Sequence, residues 1–109
     1  MNEQQYLLIK MAEEASEITH IALKTAQFGM DSSETPQSLT NYQALHKELN
    51  DLLSIVSLLN TNYEFNFHPS KTAILEKQNK VQKYKEISAS LGLVQLNTEK
   101  TITIDDSSQ

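Results

Sequence analysis

Residues 45–59 read Leu45-His46-Lys47-Glu48-Leu49-Asn50-Asp51-Leu52-Leu53-Ser54-Ile55-Val56-Ser57-Leu58-Leu59. No glycine or proline interrupts this stretch, and from Leu52 onward a helix would be apolar nearly all round. Such a helix needs burial on more than one side. With Leu52 at zero and about 100° per residue, Leu45, Val56 and Leu59 define the stripe, while Glu48 falls about 40° and Asp51 about 100° to one flank. An acid therefore borders a core face.

Working outward, the pattern predicts a helix beginning near Ser38 or Thr40, either of which can act as N-cap, and running to about Asn60. An earlier helix is predicted from about Asn2 to Phe28, with Leu7, Met11, Ile18 and Ile21 on one face and Gly29 as its stop. Residues 30 to 38 lack periodicity and read as a loop. After a connector at 60–68, Pro69 suits the first turn of a third helix, expected to reach Leu91 with Gly92 beyond it. Ile74, Val81, Tyr84 and Ile87 supply its less polar stripe. The tail from 93 alternates at Thr101-Ile102-Thr103-Ile104, which fits a short strand or an extended arm, and 105–109 should fray. The expected architecture is all-α, a bundle of three main helices per chain completed by oligomerisation. It assigns 1–91 to the helical domain and 92–109 to a C-terminal tail.

Composition narrows the function classes. Two glycines and two prolines in 109 residues are too few for a many-stranded sandwich or barrel. The absence of cysteine removes disulfides, thiolate nucleophiles and sulfur-bound zinc. Any metal must be held by oxygen or imidazole. No apolar run approaches the roughly 18 residues of a membrane span, and the first residues lack a signal-peptide pattern, so a cytoplasmic protein is expected. A net charge of -5, from 14 acids against nine lysines and no arginine, argues against an undirected grip on nucleic acid. Residues 69–91 run against that balance with five lysines and two glutamates. That segment can face phosphate.

The first helix repeats the anomaly of the second. With Leu7 at zero, Glu14 lies within about 20° of the centre of the apolar face and Glu17 about 80° to one side. Acids three residues apart are ordinarily solvated helix surface. Here both pairs interrupt an apolar stripe, where an unpaired buried carboxylate costs several kcal/mol. Two readings resolve the conflict: a divalent cation held by converging carboxylates, or an unusual structural ion network. The third helix carries Lys77, Lys80 and Lys83 along one side, which can aim at a polyanion, although for any one of them a solvated face is the commoner case.

Glu13-Glu14-Ala15-Ser16-Glu17 followed by Glu48-Leu49-Asn50-Asp51 resembles the EExxE and ExxD signature of the all-α nucleoside triphosphate pyrophosphohydrolases. That superfamily includes MazG-like proteins, dimeric dUTPases and phosphoribosyl-ATP pyrophosphohydrolases. The likeness spans about residues 1–91, and the residues around the two motifs resemble small MazG-like proteins of phages and bacteria. It implies Glu14, Glu17, Glu48 and Asp51 as ligands of Mg²⁺, with Mn²⁺ as a substitute, and Glu13 as a residue that orients the site or assists the attacking water. It implies phosphate contacts from the third helix, for which Lys77, Lys80, Lys83 and Tyr84 are candidates. One departure is the 30-residue separation of Glu17 from Glu48, longer than usual, with the extra length placed in the loop at 29–38 and the start of the second helix.

The implied activity is hydrolysis between the α and β phosphates of a nucleotide, giving a monophosphate and pyrophosphate, in a homodimer or homotetramer. The histidines His20, His46 and His68 have no part in it. Phe28, Tyr42, Tyr63, Phe65 and Phe67 are stacking candidates for a base, or anchors of core and interface. The alternative is a non-catalytic helical oligomer that binds a nucleotide or protein and keeps the acids as a structural metal site. Neither reading selects a substrate.

Overall fold

The computed structural model describes residues 1–97, which contain three α-helices and no strand: α1 (Glu3–Phe28), α2 (Asn41–Tyr63) and α3 (Lys71–Ser90). The alternating segment 101–104 lies outside the described residues. The chain divides into a unit of Met1–Phe67 and a second unit beginning at His68. That division falls inside the segment 1–91 that the sequence reads as one domain.

Local chemistry sets the helix ends. Asn2 caps α1 by accepting from the Gln5 amide, and the Gln5 side chain returns the bond to the Asn2 amide. Thr40 and Gln43 build the same reciprocal box at the start of α2. Each box satisfies amides that have no partner inside the helix. Gly29 ends α1 at φ 97°, a conformation that a side chain would resist, and its amide donates to the Thr25 carbonyl at 2.8 Å.

Two helix ends differ from the sequence expectation. α2 continues three residues past Asn60 to Tyr63, because the Asn60 side chain is engaged elsewhere: its Nδ2 donates to the Phe67 carbonyl at 3.0 Å and its Oδ1 accepts from the Phe67 amide at 2.9 Å. The connector is thereby folded back along the helix. At α3, Pro69 precedes the helix instead of entering its first turn, and Ser70 is the N-cap. Its hydroxyl accepts from the Ala73 amide at 3.1 Å, a bond that proline has no side-chain oxygen to make.

α1 and α2 pack as an antiparallel hairpin whose two ends are each tied. At one end the Tyr63 hydroxyl donates to Glu3 at 2.8 Å. At the other, Asn41 is 3% exposed and its Nδ2 donates to the Gly29 carbonyl at 2.9 Å, while its backbone amide donates to Ser32 at 2.8 Å. The loop 30–40 is strapped down by these bonds. Thr25, also buried, occupies the apolar stripe of α1 because its hydroxyl bonds back to the Ile21 carbonyl at 2.6 Å. Leu59 is the one fully buried large apolar side chain among the described residues.

The apolar circumference of α2 is only partly covered. Leu49, Leu53 and Leu58 all remain exposed in the single chain. In the second unit α3 buries no residue. Among the described residues no helix is long and apolar enough to cross a membrane.

Candidate metal centre

The antiparallel pairing of α1 and α2 brings the flank of Glu14 and Glu17 opposite Glu48. One carboxylate oxygen from each of these three residues lies within 4.8 Å of the others. Glu14 and Glu48 are half-buried and Glu17 is exposed. Glu14 Oε1 and Glu48 Oε1 are buried without any hydrogen-bond partner. Buried acceptors left unpaired carry a desolvation cost, and three acids at this separation also repel. Hard oxygen donors so arranged suit Mg²⁺ or Mn²⁺, with Glu14, Glu17 and Glu48 able to hold the ion.

Burial is the main cause that pushes the Glu48 carboxyl above its ordinary 4.5; Lys47 pulls it down, while the neighbouring Glu17 carboxylate adds to the rise. A carboxyl with a raised folded pKa favours the fold when protonated. Its contribution is complete below the ordinary value and is lost as pH rises through the raised one. In EDTA, wild-type protein should therefore lose stability relative to Glu48→Gln as pH climbs from 4.5 towards neutrality, in thermal melts read by circular dichroism. Parallel profiles for the two proteins would contradict this account.

Asp51 lies outside the group of three. Its Oδ2 is bound by Lys47 Nζ at 2.8 Å, one helical turn earlier, and the same ammonium stands 3.9 Å from Glu48 Oε2. Lys47 is a residue that the motif reading did not single out. Its signal was the i, i+4 pairing of Lys47 with Asp51 across Glu48. Glu13 is outside the group of three and pairs with Lys10 at 3.1 Å on the surface.

The second unit has its own cationic hollow. Lys77, Lys80, Tyr84 and Lys85 line a concavity of about 390 Å³, together with Val81 and Ser88. Lys83 is not among its lining residues and instead places its Nζ 5.8 Å from the Tyr84 ring centroid. Lys85 belongs to the five lysines of 69–91 but lies off the i, i+3, i+6 series, whereas the face runs through 77, 81, 84, 85 and 88. Helical spacing from Val81 would have found it.

His20, His46 and His68 are absent from the acid cluster. His46 lies against Tyr42, one of the aromatic candidates, with ring centroids 4.4 Å apart and planes tilted by 41°. Phe65 and Phe67 lie 6.5 Å apart in the connector. Comparison with protein-family models, with curated proteins and with solved structures gave no match to this chain.

Proposed function

We propose that this chain is a Mg²⁺-dependent nucleotide pyrophosphohydrolase that cleaves between the α and β phosphates to release a monophosphate and pyrophosphate. The observation that carries the reading is the convergence of Glu14, Glu17 and Glu48 from two helices with two buried oxygens unsatisfied. That arrangement coincides with the resemblance of 13–17 and 48–51 to the EExxE and ExxD signature. When bound, the cation supplies charge neutralisation of the phosphates and activation of the attacking water.

In this reading Glu14, Glu17 and Glu48 hold the ion, and Asp51 joins them by leaving Lys47. Glu13 assists from the solvent side. The resemblance assigns Lys77, Lys80, Lys83 and Tyr84 to the phosphates, and within the second unit Lys77, Lys80 and Tyr84 line one hollow. The bond between Lys47 and Asp51 favours one other reading, in which the acids and Lys47 form a structural network in a non-catalytic binding protein. A panel of NTPs, dNTPs and phosphoribosyl-ATP with Mg²⁺ or Mn²⁺ separates the two. Metal-dependent pyrophosphate release above a Glu48→Gln control is expected, and its absence across the panel defeats the enzyme reading.

A homodimer or homotetramer is part of the same proposal, supported by the uncovered leucines of α2. Leu53 is the most open of them at 59%. Leu53→Glu should convert the assembly to monomer in multi-angle light scattering with the helical signal retained. A wild-type monomer would end this part of the reading.

A further inference from the structure

The flank of α1 that carries Glu17 continues past the acids. Lys24 and Phe28 lie within about 40° of Glu17 around the helix, two and three turns further on. There the strapped loop 30–40 closes against the end of α1 and leaves two adjoining concavities of about 360 and 300 Å³. Lys24, Phe28 and Glu34 line both. Gln27 borders one and Ser32 the other. The floor is held in place by Asn41 through its bonds to Gly29 and Ser32.

Three features of this hollow are unexplained by the fold. Phe28, at the end of α1, keeps 60% of its surface exposed. Lys24 Nζ and Glu34 Oε2 meet at 2.9 Å across ten residues of chain, with Lys24 only 28% exposed and Glu34 74%. The lysine holds the Glu34 carboxyl below its ordinary 4.5, so it is ionised at neutral pH. The hollow thus offers an aromatic face beside a cationic donor and an adjacent anionic acceptor, with His20 also in its lining.

We infer that this hollow is a nucleobase pocket selective for guanine, with Phe28 as the stacking face and the Lys24–Glu34 pair reading the base edge. Guanine alone among the common bases presents an acceptor, O6, next to two donors, N1–H and N2–H. Lys24 donates to O6, and Glu34 accepts from N1–H and N2–H. Uracil and thymine set carbonyl oxygens on both sides of their single donor, and one of those oxygens would face the carboxylate. Lys24 stands seven positions after Glu17, an axial rise of about 10 Å, comparable to the span from an α phosphate to the far edge of its base. The inference rests on the nucleotide reading of the acid cluster.

The test uses the full chain with Mg²⁺ and the α,β-methylene triphosphates of guanosine and uridine, with tripolyphosphate as a base-free probe, in titration calorimetry. The guanosine compound should bind about 10-fold or more tighter than the uridine compound, the range expected of one well-placed bidentate pair. Glu34→Ala should erase that preference without changing tripolyphosphate affinity. Phe28→Ala should weaken both nucleosides about 5- to 150-fold through lost stacking. Equal affinity for the two bases, no binding of either, or a preference that survives Glu34→Ala overturns the pocket. Pyrophosphate release from GTP and UTP at equal rates, with equal affinities, overturns the pocket and leaves the hydrolase standing. A guanine preference without release from GTP does the reverse.

Discussion

Glu48→Gln is expected to lower divalent-dependent pyrophosphate release by at least about 100-fold, since even residues that merely orient a metal ligand are worth 10- to 100-fold. The substitution keeps size and shape and removes one negative charge from the centre of the group formed by Glu14, Glu17 and Glu48. It also replaces a buried oxygen that lacks a partner, or its twin, with an amide that can donate to a neighbouring carboxylate. The same variant should therefore melt higher than wild type in EDTA at neutral pH, and lose the stabilisation that Mn²⁺ gives wild type. Activity and stability move in opposite directions. A variant that is both inactive and unfolded would mark Glu48 as a structural residue, and one that keeps full metal-dependent activity would remove it from the site.

The second large effect is on the fold. Leu59→Ala should destabilise the protein by about 2–5 kcal/mol, the range for truncating a buried leucine where the surroundings relax only in part. Leu59 is 1% exposed and lies on the same stripe of α2 as Leu52 and Val56. Small domains hold roughly 5–15 kcal/mol in total, so one such change takes a large share. Urea denaturation followed by circular dichroism gives the number directly. A loss under about 1 kcal/mol would show that the hairpin core lies elsewhere.

Much of the hairpin was legible because periodicity and caps are local signals. The stop at Gly29 stands where the pattern put it, and of the two caps that residue chemistry allowed, Ser38 and Thr40, the helix uses Thr40. The end of α2 was not legible at Asn60, since the residue reads as a helix breaker while its amide is committed to Phe67, seven residues away. Pro69 misled for a similar reason: the serine after it is the better cap.

The acids divide along the same line. Glu14, Glu17 and Glu48 lie on the facing flanks of two stripes, which helical geometry alone locates. Asp51 sits further round, where Lys47 one turn away competes for it. A motif records which residue types recur, not which neighbour currently holds them. The hollow at Phe28 was invisible for a different reason, since it is built by a loop without periodicity that folds over the helix end.

Lys47 gives the hairpin a resident counter-ion. Its ammonium is covalently part of α2, so it reaches Glu48 and Asp51 as soon as that helix forms and offsets part of their repulsion before any ion is captured. In small zinc domains the free energy of metal binding is the free energy of folding, and chelators unfold them. On the proposed reading the order would be separable: the hairpin carries a cation of its own beside two of the acids, and loading with a divalent ion would exchange one cation for another.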